Sequence, residues 1–274
     1  MKFTSKSILA TAAFMAAGAA SAASGYVWNA GSGTGGLTFS SDALSALSAS
    51  GSSVVTAGTI PTIAGLPNSG AVNTAIYSKA TGNVSLAFNT ATGVGDTLTT
   101  LQAANSLVNI RRTVFNDDET TTQLNIYMAE FDVNLTNSTI YANLYSRTGS
   151  GALVNYGKQA IFTADVPGVV GGTGGNIIVD GVSGGVATGH ASGSLAGSLR
   201  MNGTTANTVL SALGLSTAAT DPVATLVRTA NWGTTNAAGT FTAPAAAIPE
   251  PSTYALMGLG LVGIAAMRRR LIKA

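Results

Sequence analysis

Leu107 to Phe115 (LVNIRRTVF), the polar run Asn116-Asp117-Asp118-Glu119-Thr120, and Leu124 to Val133 (LNIYMAEFDV) decide the fold. In the second run Leu124, Ile126 and Met128 point one way. Tyr127, Ala129, Phe131 and Val133 point the other. The next run repeats the pattern, with Ile140, Ala142 and Leu144 opposed to Tyr141, Asn143 and Tyr145. Alternation with a period of two, bounded by polar clusters, predicts half-buried antiparallel strands. The run from Asn116 to Thr120 reads as their hairpin loop, and the series Leu107 to Val166 as the core of the fold.

Working outward, further strands are expected at Val84–Phe88, Ala160–Val166, Asn176–Val182, Leu195–Met201 and Ala224–Ala230. Strands in series with many turn residues predict a mainly β, antiparallel β-sandwich or barrel-like domain. Two short helices interrupt it. Asp42 to Leu47 follows a Ser/Asp cap signal. Thr205 to Leu213 places Val209, Leu210 and Leu213 on one face, with Gly214 as a stop. Both should cover an open end or edge of the sheet. Gly168 to Asn176 reads as a flexible loop. Thr234 to Ile248, rich in Ala, Thr and Gly and containing Pro244, reads as a linker.

The composition agrees. Only 9% of the 274 residues are charged, and 34 are glycine. Low charge with abundant Thr and Gly suits β-structure with many turns. Cysteine is absent, which removes disulfides, thiolate metal sites and thiol catalysis. The basic isoelectric point, about 9.0, belongs to the chain ends. Six of the thirteen basic residues lie there, leaving seven against ten acidic residues, a net charge of −3. A nucleic-acid footprint is therefore missing.

The ends carry export signals. Lys2 and Lys6 precede an apolar run from Ser7 to Ala20, and Ala20-Ser21-Ala22-Ala23 supplies small residues. That order is a secretory signal peptide, cleaved after Ala22. At the other end Pro249-Glu250-Pro251-Ser252-Thr253 precedes an uncharged apolar stretch, Tyr254 to Met267. Arg268, Arg269, Arg270 and Lys273 follow. The prolines keep the backbone extended. The apolar stretch makes a helix of about 20 Å, short against a bilayer core of about 30 Å. It reads as a transient anchor, with the basic cluster as a cytoplasmic stop.

These three parts, in this order over about the last thirty residues, resemble the PEP-CTERM sorting signal. The resemblance implies recognition of Pro249 to Thr253 by an exosortase, a membrane-embedded cysteine peptidase. It also implies a Gram-negative host, often one that makes exopolysaccharide. The domain plan is then a signal peptide at 1–22, a β-rich exported domain at 23–233, a linker at 234–248 and the sorting segment at 249–274.

Candidate chemistry in the middle is sparse. Gly181-Val182-Ser183-Gly184-Gly185 fits the Gly-x-Ser-x-Gly nucleophile pattern, but that elbow needs a helix after it. His190, the lone histidine, would be the base, and Asp221 follows it against the usual chain order. A glycine-rich turn is the plainer reading. Gly31-Ser32-Gly33-Thr34-Gly35-Gly36 matches Gly-x-Gly-x-x-Gly, yet no helix follows, so it reads as a loop. Asp117, Asp118 and Glu119 are hard oxygen donors without the spacing of a calcium loop.

Glu130 and Asp132 share a strand face at a spacing of roughly 7 Å. That is compatible with a glycosidase pair but unspecific, and Arg147 or Lys158 could pair with them. Trp28, Trp232, Tyr141, Tyr145 and Tyr156 are candidates for stacking on sugars. Asn83, Asn134, Asn137 and Asn202 stand in Asn-x-Ser/Thr sequons.

The expectation is a non-enzymatic surface or matrix protein with no metal and no cofactor. It passes through the secretion translocon, signal peptidase and an exosortase, and transiently the inner membrane. Its role is structural or adhesive in a biofilm or exopolysaccharide setting. The alternative is a carbohydrate-binding module; a secreted glycosidase ranks below both.

Overall fold

The computed structural model describes residues 27–55, 60–70, 75–94, 97–164, 175–195 and 198–244. They form one sheet of twelve strands with three short helices. In chain order these are β1 (Val27–Thr38), α1 (Ser41–Ala49), β2 (Ser52–Val55), β3 (Ile76–Ser78), β4 (Asn83–Val94) and β5 (Thr97–Phe115). Next come β6 (Thr121–Asn134), β7 (Thr139–Thr148), β8 (Val154–Ala164), β9 (Asn176–Ser183), β10 (Val186–Leu195) and β11 (Leu199–Met201). The chain continues through α2 (Gly203–Ala212), α3 (Pro222–Thr229) and β12 (Thr234–Pro244). Every strand pairing among the described residues is antiparallel. The expected mainly β, antiparallel class is the one observed.

β5 organises the sheet. Its nineteen residues carry β6 along one edge from Thr100 to Phe115. The opposite edge takes β4 from Thr97 to Gln102 and β2 from Asn109 to Arg112. At its first residue Thr97 meets Asn176 of β9, and the Leu98 N–H donates to the Gly175 carbonyl at 2.8 Å. The path β5–β9–β10–β12–β1–β4 therefore returns to β5 and closes a ring. β6, β7, β8 and β11 extend from it as a meander.

A six-stranded ring is narrow, so its interior admits few large side chains. β10 accordingly turns Ala187, Gly189, Ala191 and Leu195 inward and Thr188, His190 and Ser192 outward. Trp28, Phe88, Leu98, Leu101 and Phe241 supply the buried bulk. Glycine lets the strands approach. A Cβ on Gly36 would stand 2.1 Å from the Val84 carbonyl oxygen, and one on Gly35 would stand 2.4 Å from that of Asn236. The Gly31–Gly36 run, expected as a loop, is thus part of β1 between β12 and β4.

Both faces of the meander carry buried apolar residues. Ile126, Met128, Ile140, Ala142 and Leu144 face the main core, where Val209, Leu210 and Val227 of the helices cover them. Leu107, Tyr127, Ala129 and Tyr145 face outward beneath Ile60, Ile63 and Leu66. Register shifts interrupt the pattern, the first at Ala103/Leu107 between β5 and β6, the second at Ala129/Asp132 between β6 and β7, and two more between β7 and β8. Glu130 sits at the second with a φ of 56°. A bulge reverses the parity of the residues after it. Phe131 and Val133 therefore join Ile126 and Met128 in the main core, not Tyr127 as strict alternation predicted.

Two of the helices match expectation. Ser40 caps α1 by accepting from the Ala43 N–H at 3.2 Å, and Gly214 ends the α2 turn with a φ of 65°. The third helix is a correction. Ala224 to Ala230 was expected as a strand, but Asp221 accepts from the Ala224 N–H at 2.9 Å and Pro222 opens the first turn. N-cap and first-turn chemistry outranks a short alternating pattern here.

Thr234 to Pro244 is a second correction. It is a strand paired on both sides, with β1 and β10, so the β domain does not end at residue 233. The Leu195–Met201 strand is divided, with β10 ending at Leu195 and β11 beginning at Leu199. The signal peptide, residues 165–174 of the expected loop, the rest of the linker and the sorting segment lie outside the described residues. Among the described residues no helix is long and apolar enough to cross a membrane.

Trp232 is 2% exposed. Its indole N–H donates to the Val227 carbonyl at 3.0 Å, and its ring contacts Phe39 and Phe162 at 6.3 and 5.4 Å. Trp232→Ala should cost about 3–5 kcal/mol in urea unfolding. Gly36→Ala should also destabilise strongly. Gly181→Ala, where an added Cβ meets nothing within 4 Å, should leave the unfolding midpoint nearly unchanged.

Candidate functional site

The glycine-rich candidate resolves into a hairpin. Ser183 pairs with Val186, and Gly184 and Gly185 have φ values of 58° and 78°. Two consecutive left-handed residues make the type I′ turn that glycine favours. β10 follows where a nucleophile elbow requires a helix. His190 lies on β10 and its Nδ1 is 2.8 Å from Asp180 on β9, both half-exposed. Asp221 is occupied as the α3 cap.

The acidic hairpin tip is closed by its own contacts. Asp118 accepts from the Thr120 N–H at 3.1 Å and from the Thr120 hydroxyl at 2.5 Å. Those bonds, the hydroxyl first, hold its carboxyl below the ordinary aspartate value. Among the described residues no three metal-ligating side chains come together.

Glu130 and Asp132 do share the outer face of the meander, but each is engaged. Glu130 accepts from the Asn143 amide at 2.5 Å. Asp132 pairs with Lys158 at 2.5 Å, and the Lys158 ammonium stands 5.6 Å from the centre of the Tyr141 ring. Arg147 instead donates to the Gly151 and Ser150 carbonyls of the next turn.

A cavity of about 40 Å³ lies in the main core, walled by Leu37, Phe39, Val84, Val108, Phe131 and Trp232 among others. No charged side chain lines it. An apolar void of this kind stays dry, because water needs polar partners.

The aromatic candidates divide. Trp28 and Trp232 are core residues, and Tyr145 is buried. Tyr141 accepts from the Asn137 amide on the outer face, whereas Tyr156 packs on the main core and its hydroxyl lies 2.9 Å from that of Ser146. They do not form one stacking platform. Of the sequons, Asn202 caps α2 through the Thr204 N–H, and Asn134 accepts from the N–H groups of Thr136 and Asn137.

The outer face of β5, β6 and β7 holds a polar group that strand-by-strand reading does not reveal. Asn109 pairs with Tyr127 and Tyr127 with Tyr145; two residues along, Arg111 pairs with Asn125 and Asn125 with Arg147. Asn125 Oδ1 accepts from Asn109 Nδ2 at 3.2 Å and from Arg111 Nε at 3.0 Å. Burial pushes the Tyr127 phenol above its ordinary value, while Arg147 and Arg111 pull it back. Burial also raises Tyr145, with Glu130 adding to the effect. The adjacent cations Arg111 and Arg112 were visible in the sequence. Their separation was not: Arg112 reaches the other way, to the Leu213 and Gly214 carbonyls at the end of α2.

Comparison with known proteins places one function-bearing segment. Residues 247–270 match the model of the PEP-CTERM protein-sorting motif, spanning the Pro-Glu-Pro run, the apolar stretch and the arginines. The motif implies an exported, cell-surface-directed protein sorted through an exosortase. A search of curated proteins found no match. Among solved structures, the C-terminal domain of HtaA from Corynebacterium glutamicum aligns over 78% of this chain and 99% of that one. Its identity is 13% and its TM-score 0.31, a likeness that carries no functional weight.

The buried tyrosines imply alkaline lability. Their protonated forms are favoured in the folded state, so this stability is fully present below about pH 10 and falls as pH rises through the raised values. Urea unfolding between pH 8 and 12 should show a loss that is smaller in Tyr127→Phe.

Proposed function

We propose that this PEP-CTERM sorting-signal protein is a non-catalytic structural or adhesive component of the cell surface or extracellular matrix, working beside exopolysaccharide. The sorting motif at residues 247–270 carries the reading. It directs the chain outward, and the apolar segment Tyr254–Met267 holds it transiently in the inner membrane while an exosortase acts at Pro249 to Thr253.

The β domain supports a passive role. The carboxylates weighed for glycoside cleavage, Glu130 and Asp132, are bound by Asn143 and Lys158 and do not line the apolar cavity of the main core. The hydrolase-like serine occupies a hairpin end. Recognition of neutral sugars by stacked aromatics has little to build on, since both tryptophans are buried.

Deleting Pro249 to Ala274 should leave export intact and abolish surface sorting. Fractionation of cells expressing the truncated and full chains measures this. Unchanged surface display of the truncated chain would refute the sorting role.

A further inference from the structure

The structure assigns an anion-binding site to the outer face of β5–β7, where Arg111 and Arg147 flank Asn125, and its ligand is a carboxylate carried by an acidic polysaccharide. The choice of polysaccharide rests on the surface reading above; the anion chemistry rests on the side chains alone.

Three observations carry it. First, Arg111, Asn125 and Arg147 are directly opposed on three adjacent strands. Directly paired residues project from the same face, and strands are about 4.8 Å apart, so the two arginine Cα atoms stand about 10 Å apart. Long guanidinium side chains can converge on one group across that gap. Both lie close enough to Tyr127 to act on its phenol.

Second, neither arginine has an acidic partner among the described residues. The ion pairs among the described residues are Lys158–Asp132 and His190–Asp180. Arg111 spends its Nε on Asn125, and Arg147 spends Nε and Nη2 on two turn carbonyls. Donors remain on both forks. In a domain with a net charge of −3 this is a local concentration of unneutralised positive charge.

Third, Asn125 is 4% exposed, and its amide orientation is set by two donors. Asn109 and Arg111 both give to Oδ1, so Nδ2 points away from them, and no acceptor among the described residues takes it. The row thus offers an amide donor between two arginines without acidic partners, and its unpartnered acceptor, Asn109 Oδ1, is buried. The donors are the complement of a carboxylate, whose oxygens accept and whose planar shape the guanidinium fork matches.

The test titrates the purified full-length chain with oligogalacturonate, a sulfated oligosaccharide and a neutral galactose oligomer of equal length, by calorimetry at low and high salt. Oligogalacturonate should bind at low salt and weaken as salt rises, and the neutral oligomer should not bind. Arg111→Gln with Arg147→Gln should lower the affinity at least tenfold. Arg111→Gln alone should lower it severalfold and keep the native unfolding midpoint, because the Arg111 side chain hydrogen-bonds only Asn125 among the described residues. That single variant preserves the test if loss of the Arg147 turn contacts unfolds the double variant.

Tighter binding of the sulfated oligosaccharide would assign the site to anions generally and overturn the carboxylate ligand. Equal binding by variant and parent, no binding at low salt, or equal binding of the neutral oligomer would overturn the site. Sorting is scored separately. A chain that reaches the surface but ignores oligogalacturonate refutes this site alone, and one that binds but is not sorted refutes the surface role alone.

Discussion

β5 pairs along both of its edges, and that pairing governs how every other strand is placed. Over its first residues β5 must serve β6 and β4 at once, and it must meet β9 at Thr97. This closes the ring, and closure sets the composition of what lies inside. Strands forced around a small circumference leave space for a few large side chains and many small ones. The alanines and glycines of β10, the close approach of Gly35 and Gly36 to neighbouring carbonyls, and the central position of β12 all follow from that geometry. The glycine content is a packing requirement of the ring as much as a supply of turns.

The second constraint is the bulge at Glu130. An extra residue in β6 exchanges which side chains face the core. Before it, Ile126 and Met128 turn inward and Tyr127 and Ala129 outward; after it, Phe131 and Val133 turn inward. The bulge lets one long strand satisfy the main core along its whole length, while its first half also supports the satellite cluster under Ile60, Ile63 and Leu66. The outer face left to Arg111, Asn125 and Arg147 lies beside that cluster, which buries Tyr127 and fixes the surroundings of the polar row.

Much of the fold was legible in order and type. The series from Leu107 to Val166 showed its alternation because each strand there is flanked on both sides and must separate two environments. The hairpin at Asn116–Thr120 was marked by consecutive polar residues. What misled was local signal with a tertiary counterpart. Ala224–Ala230 alternates by chance, whereas Asp221 and Pro222 commit it to helix. Thr234–Pro244 looked like a linker because three of its inward positions are Ala237, Gly239 and Ala243, small residues that a crowded ring requires. Glu130 and Asp132 were correctly placed on one face, but their binding by Asn143 and Lys158 comes from a neighbouring strand and the one beyond it.

Export and sorting are legible in the chain alone, because those signals are short and contiguous and their residue order carries them without the rest of the protein. The β class is legible too, since burial of alternate residues leaves a period of two in the chain. Which strands close the ring, the burial of both tryptophans and the placing of Arg111 and Arg147 across Asn125 emerge only on folding. Register is the reason. A pairing between strands is fixed by bulges, closure and the fit of side chains from distant segments, and none of these is written in the residues of one strand.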